Sequence, residues 1–223
     1  MACLPFETHP RRMEVTGNLT SVCERPLCRP QPDQKQLTFQ ADPLYHMPKI
    51  SPAFKPYAEQ WLKGLKEIHD ANRAIGTVRA DATLIGDQAS EVIHGSHRLI
   101  SDEPVAIGGS DNGPGPLEYF IAAVGFCENV TFVRYATLGR LDFDSFQTSV
   151  RGHWDRRGQG DFSEIEPAFK DFIVETRISS KDTVEKIKKV VTIAHKRCPM
   201  HSTITKVGKV VDKLFVNGVE VPL

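Results

Sequence analysis

The chain has 223 residues, 40% hydrophobic and 25% charged, which suits one globular domain with an extension or two small domains. Its 28 basic side chains are balanced by 28 acidic ones, so charge gives no reason to expect nucleic acid or an anionic membrane as a partner. There is no apolar run of the roughly 18 residues that a membrane helix needs, and the amino terminus lacks the apolar segment of a secretory signal. We therefore expect a cytoplasmic protein.

Residues 1–56 differ in composition from the rest of the chain. They hold nine of the fifteen prolines and show no sustained period of 2 or 3.6 residues, which predicts a poorly ordered amino-terminal extension. Import into an organelle by this arm is the alternative to a cytoplasmic location. Its acidic residues, Glu7, Glu14 and Glu24, are unlike the acid-poor composition of such presequences.

The five cysteines do not indicate a disulfide scaffold, because their number is odd and the chain is long. Cys3, Cys23 and Cys28 lie in the proline-rich arm. Cys23 and Cys28 have the spacing of half a zinc knuckle, but no second pair of ligands follows at a suitable distance. We interpret them as incidental thiols.

Residues 57–76 are predicted to be an amphipathic helical segment, with a helix from Tyr57 to about Asn72 that Gly76 ends. Thr77–Ile85 alternates apolar and polar residues, as a half-buried strand does, and Ala89–Ile100 continues as extended chain. The simplest arrangement of these strands is a β-meander, which begins a domain over residues 77–223.

A loop over 102–116, rich in glycine and proline, precedes a long apolar helix that is predicted to run from Pro116 to Leu138. Proline costs nothing in the first helical turn, and Glu118 is favourably placed at the positive end of the helix dipole. The apolar stripe of the helix is expected to carry Cys127 on its buried face.

The sequence pattern after Leu138 completes an α+β fold. Asp182 and Thr183 are candidate caps of a helix that ends in His195-Lys196-Arg197, and Pro199 places Cys198 at or near the N-cap of a further short helix. Strands are predicted over the ranges 141–150, 169–178, 204–211 and 214–221, the last being a hairpin around Asn217-Gly218.

Two thiols are candidates for chemistry. Cys198 is beside His195, Lys196, Arg197 and a helix start, which predicts a lowered pKa and a nucleophilic thiolate. A small buried residue before a proline turn explains Cys198 equally well, and a cysteine such as Cys127 in an apolar helix usually packs in a core.

No metal site is predicted from the sequence. His195, Cys198 and His201 have the side-chain types that bind zinc, but Pro199 breaks the single helical face that would align them.

Three motifs occur in a fixed order in the ordered region: Asp102-Glu103-Pro104 with Gly108-Gly109, the run from Gly113 to Cys127, and Cys198-Pro199 after a helix. This combination resembles the OsmC/Ohr family of osmotically induced and organic hydroperoxide resistance proteins. The resemblance covers about residues 77–223. It implies an intertwined homodimer of two antiparallel β-sheets around two central helices, with active sites formed between the subunits.

The resemblance also implies a cysteine-based peroxidase. Cys127 would be the peroxidatic thiolate and Cys198 the resolving thiol, while Glu118 looks like the family carboxylate, one position later than in well-known members. The substrate would be an organic hydroperoxide, the reductant an external dithiol, and no cofactor would be bound. We expect an apolar pocket for the substrate from Phe120, Val124, Phe126 and Tyr135.

One departure from the family pattern favours a second reading. The family uses an arginine to stabilise the thiolate, but the loop over 102–113 contains none, and Arg98 is only the nearest upstream candidate. The alternative function is therefore a binding or structural protein that keeps the fold without peroxidase turnover.

Overall fold

The computed structural model describes residues 50–223. Within this range the helices are α1 (Lys55–Lys66), α2 (Ala71–Ala74), α3 (Pro116–Leu138), α4 (Val184–Arg197) and α5 (Pro199–Val207). The strands are β1 (Ala82–Leu84), β2 (Ser90–His94), β3 (His97–Ser101), β4 (Ser145–Trp154), β5 (Phe169–Ser179), β6 (Lys209–Val216) and β7 (Val219–Val221). The α+β class with two sheets is thus confirmed. Most of the proline-rich arm, with its three cysteines, lies outside the described residues, and its character stays a prediction.

The first sheet is the expected antiparallel meander, in the order β1-β2-β3. Its first strand is shorter than predicted, since only Ala82–Leu84 of the range 77–85 pairs with β2. Leu84, Val92 and Leu99 lie on one face of this sheet, because directly paired residues share a face and side chains alternate along a strand. Leu84 and Leu99 are exposed within this chain.

The second sheet has the order β4-β5-β6-β7 and is mixed, which corrects the expectation that both sheets are antiparallel. Strands β5 and β6 run parallel, because α4 and α5 form the crossover between them, whereas the other two pairs are antiparallel. The strand predicted over 204–211 is wrong in its first half. Residues up to Val207 belong to α5, whose buried Ile204 faces the core as part of a helical turn.

The turn between β6 and β7 is the predicted Asn217-Gly218 hairpin. Both residues have positive φ angles, 49° and 82°, which is the conformation that a two-residue hairpin loop of type I′ requires. The Asn217 side chain also donates to the Ser180 carbonyl at 3.0 Å and ties the hairpin to the end of β5.

Helix α3 starts and ends where the sequence predicted, with Pro116 in its first turn and Gly139 at its carboxyl end. Its fully buried positions are spaced as on one helical face: Val124, Glu128, Thr131, Phe132 and Ala136. They pack against α4 and the inner face of the mixed sheet. Within residues 50–223, no helix has both the length and the apolar composition needed to cross a bilayer.

Helix α1 is shorter than predicted, because it ends at Lys66 and the chain makes only a separate turn of helix, α2, at Ala71–Ala74. Trp61 of α1 packs edge-on against Tyr135 of α3, with 5.9 Å between the ring centroids. The Arg134 guanidinium lies 4.8 Å from the centroid of the same indole. These contacts fix α1 on the carboxyl-terminal half of α3.

The predicted loop between β3 and α3 is organised by the buried carboxylate of Asp102. It accepts hydrogen bonds from the backbone N–H groups of Glu103 at 2.8 Å, Ser110 at 3.1 Å and Asn112 at 3.2 Å. Burial alone would raise the pKa of Asp102, but these hydrogen bonds outweigh it and hold the pKa below its usual value. Gly109 has no room for a side chain, since a Cβ there would lie 1.7 Å from the Glu103 carbonyl oxygen.

Candidate functional site

The fold brings the thiols of Cys127 and Cys198 together. Cys127 lies about three turns into α3, and Cys198 lies at the corner where α4 ends and α5 begins. The two side chains are close enough to interact directly, and neither is in a disulfide. Cys198 is fully buried, whereas Cys127 is half-buried rather than enclosed in the core as its stripe position suggested. Neighbouring thiols of this kind can form and break a disulfide bond.

The structure places Cys198 at the N-cap of α5, as the sequence predicted, but its pKa is not lowered. Its sulfur accepts a hydrogen bond from the His201 backbone N–H at 3.5 Å, which favours the thiolate. Burial acts in the opposite direction and is the larger effect, and with the nearby Glu128 carboxylate it raises the pKa of Cys198 to about 12. The prediction of an acidic thiol at this position is therefore wrong, because the sequence pattern did not show how deeply the corner is buried.

A buried cluster of charged and aromatic side chains adjoins the two cysteines. Glu128, which follows Cys127 in α3, has 2% of its surface exposed. Its Oε1 lies 2.8 Å from Nδ1 of His201, and its Oε2 lies 3.8 Å from Nε2 of His195. The two imidazole rings are almost parallel, with their centroids 4.7 Å apart.

Asp212 of β6 closes the other side of this cluster. Its Oδ2 is 3.5 Å from Nε2 of His201 and 3.8 Å from Nδ1 of His195, so each ring lies between two carboxylates. Burial lowers the pKa of His201, but Asp212 and Glu128 together raise it to about 9. Burial is the dominant effect at His195, whose pKa is lowered. The pKa shifts of the two rings thus have opposite directions although the rings share the same carboxylates.

Glu118 does not lie beside the cysteines within this chain. It is exposed on the first turn of α3 and nine residues before Cys127, which is about 13 Å along the helix axis and half a revolution around it. Arg98 is likewise engaged elsewhere, since its Nε donates to Glu91 at 2.8 Å on the β2–β3 hairpin.

The four residues expected to line one apolar pocket point in different directions. Phe120 packs against Phe169, Val124 is buried in the core with no exposed surface, and Tyr135 contacts Trp61. Phe126, by contrast, has 67% of its surface exposed beside Cys127. A single pocket from these four side chains is therefore wrong for this chain.

Sequence reasoning missed Glu128 and Asp212. A signal for Glu128 was present, because it occupies a position on the apolar stripe of α3, where an acidic side chain must find a buried partner. Asp212 gave no such signal, since it lies in a strand whose pairing and facing were not predictable from the local pattern.

Comparison with known proteins shows a family relation for the region that holds the site. The family described as OsmC-like protein matches residues 109–212, a range that includes both cysteines, Glu128 and both histidines. No curated protein sequence matches the chain.

Solved structures show the same fold at low sequence identity. An OsmC-like protein from Mycoplasma pneumoniae is 19% identical, with a TM-score of 0.56, and the match covers 63% of this chain and 97% of that chain. An OsmC-like protein of unknown function from Vibrio cholerae is 16% identical, with a TM-score of 0.51, over 63% of this chain and 100% of that chain. An organic hydroperoxide resistance protein from Elizabethkingia anophelis is 16% identical, with a TM-score of 0.50, over 64% of this chain and 98% of that chain.

Proposed function

Because the chain belongs to the OsmC family, we propose that it is a thiol-dependent peroxidase that reduces organic hydroperoxides through Cys127 and Cys198. The observation that carries this proposal is the direct neighbourhood of a half-buried thiol and a fully buried thiol on two different helices. One similar structure is named as an organic hydroperoxide resistance protein, from Elizabethkingia anophelis, and this name supports organic hydroperoxides as the substrate class.

The proposed reaction has three steps: oxidation of Cys127, formation of a disulfide, and reduction of that disulfide. The Cys127 thiolate attacks the terminal oxygen of ROOH, the O–O bond breaks, and the RO⁻ leaving group takes up a proton to give ROH and a sulfenic acid. The Cys198 sulfur then attacks the Cys127 sulfur, and the hydroxyl leaves with the thiol proton as water, giving a disulfide. An external dithiol reduces this disulfide by exchange and is itself oxidised to a disulfide.

Accessibility supports this order of attack. Peroxide reaches the half-buried Cys127 more easily than Cys198, which has no exposed surface. Next to Cys127, α3 presents exposed apolar side chains at helical spacing, among them Phe126 and Val130. Such a surface would favour the alkyl or aryl group of an organic hydroperoxide over hydrogen peroxide.

The test is the rate of consumption of cumene hydroperoxide with dihydrolipoamide as the dithiol. We expect catalytic turnover by the full chain, and a slower reaction with hydrogen peroxide, because only the organic substrate buries apolar surface. Replacing Cys127 by serine should reduce the rate to that of the free dithiol. The matched control is the triple variant in which Cys3, Cys23 and Cys28 are replaced by serine, which should keep the wild-type rate.

The alternative, a binding or structural protein of this fold, is favoured by the loop over 102–113, which contains no arginine to stabilise a thiolate. It predicts no consumption above the free dithiol by the wild-type chain with either cumene or tert-butyl hydroperoxide. That result would overturn the peroxidase proposal.

We further infer that two copies of the chain form a dimer. Leu84 and Leu99 on one face of the small sheet, and Phe126 and Val130 on α3, are apolar side chains that this chain leaves exposed. A three-stranded sheet needs a packed apolar face for stability, and a second copy would supply one. Sedimentation equilibrium should give twice the chain mass of 24.9 kDa. The mass of a single chain across the concentration range would rule out the dimer.

A further inference from the structure

We propose that Glu128, His195 and His201 bind a divalent transition-metal ion, with Zn²⁺ as the best match, next to the cysteine pair. Carboxylate oxygen and imidazole nitrogen are ordinary zinc ligands, and three protein ligands with one further position form a common zinc site. Each of the three residues offers one atom, and these atoms lie within 4.8 Å of one another.

The distances between the ligand atoms suit a metal. Two ligands about 2.05 Å from a tetrahedral zinc ion lie roughly 3.3 Å from each other. The distance from Glu128 Oε1 to His201 Nδ1 is 2.8 Å, and the ligand atoms of all three residues lie within 4.8 Å of one another, so the cluster has the size that holds one ion. Small rotations of the imidazole rings would bring both nitrogens into the coordination sphere.

The attraction between Glu128 and His201 is not accompanied by well-aligned hydrogen bonds. Glu128 Oε1 and His201 Nδ1 are both buried and only 2.8 Å apart, yet neither has a hydrogen-bond partner of acceptable geometry among the described residues. A buried polar atom without a partner is costly, and a buried carboxylate more so. Two atoms that lie close without pointing at each other are arranged as ligands are around a common ion.

Asp212 provides the surroundings that metal-bound histidines usually have. A ligating imidazole generally donates its second N–H to a carboxylate, which fixes the orientation of the ring. Asp212 Oδ2 faces the second nitrogen of both rings, at 3.5 Å from His201 and 3.8 Å from His195.

The break at Pro199 creates this site rather than preventing it. Along one continuous helix, His195 and His201 would lie on different faces, which is why the sequence predicted no metal site. Because α4 stops at Arg197 and α5 starts at Pro199, the chain turns at Cys198 and brings the two rings side by side under Glu128.

The test measures metal binding directly. The purified full-length protein is stripped with a chelator, dialysed, and titrated with Zn²⁺ in competition with a chromophoric chelator, and Co²⁺ is used as a spectroscopic probe. We expect one tight equivalent per chain, a higher melting temperature with Zn²⁺, and visible Co²⁺ bands of a tetrahedral site. Glu128→Gln should remove the tight equivalent. Asp212→Asn, which changes a partly exposed residue, should weaken binding about 10–100-fold.

Two controls separate this site from other metal-binding groups. The double variant His94→Ala and His97→Ala removes an exposed pair of histidines on the β2–β3 hairpin and should keep the tight equivalent. Cys127→Ser should keep it as well, although the same variant is expected to lack peroxidase activity, so the two proposals can fail independently. The proposal is overturned if wild type binds no tight equivalent, or if Glu128→Gln and Asp212→Asn, both folded by thermal melting, bind Zn²⁺ as tightly as wild type.

Discussion

Replacing Cys198 by serine should leave the first reaction with hydroperoxide intact and stop continued turnover. Cys127 would still form a sulfenic acid and consume about one equivalent of peroxide per chain. Without Cys198 the intramolecular disulfide cannot form, and the sulfenic acid that the external dithiol does not reach first would be oxidised by further peroxide to the sulfinic acid, which dithiols do not reduce. Rapid mixing with cumene hydroperoxide should therefore show a normal first phase followed by a strongly reduced steady-state rate.

Mass spectrometry tests the same prediction at the level of single residues. Wild type oxidised with one equivalent of peroxide should contain a disulfide between Cys127 and Cys198, whereas Cys198→Ser should carry added oxygen on Cys127. Cys28→Ser is the matched control and should behave as wild type in both measurements. A steady-state rate in Cys198→Ser equal to that of wild type would show that Cys198 is not the resolving thiol.

Replacing Phe132 by alanine should lower the free energy of unfolding by about 3–5 kcal/mol, the usual cost of removing a large buried aromatic side chain. Phe132 has 1% of its surface exposed. It stacks on Phe146 of β4, with 3.5 Å between ring centroids, and packs edge-on against Phe143, at 5.2 Å. Truncation would leave a cavity between α3 and the mixed sheet, close to the helical turn that carries Cys127 and Glu128.

Urea unfolding of the reduced protein, followed by circular dichroism, measures this effect. Phe162→Ala is the matched control, since the same substitution at a side chain with 85% of its surface exposed should change the free energy by no more than about 0.5 kcal/mol. Equal effects of the two variants would contradict the assignment of Phe132 to the centre of the core.

The features that the sequence predicted correctly depend on neighbouring residues. Pro116 and Gly139 delimit α3, Thr183 caps α4 by accepting from the Lys186 N–H, and Asn217-Gly218 forms the hairpin turn. In each case the conformational preference of one or two residues decides the local backbone, and no distant contact is needed. The order of the elements and the position of Cys198 at an N-cap followed from the same kind of preference.

Other features depended on contacts between residues far apart in the chain. Strand β5 pairs with β6 in parallel because α4 and α5 connect them. The sequence pattern of either strand alone does not predict this direction of pairing. The raised pKa of Cys198 follows from burial at a corner between helices, which outweighs the helix start and basic neighbours that a local reading emphasises.

By itself the sequence determined the family resemblance, the long apolar helix, and the two cysteines that the proposed redox chemistry needs. Only the tertiary structure decided which groups surround those cysteines. Glu128, His195, His201 and Asp212 come from four different elements and converge where α3 crosses the corner between α4 and α5. Convergence of this kind is set by packing, because burial and charge act through space, whereas helix and turn preferences act along the chain.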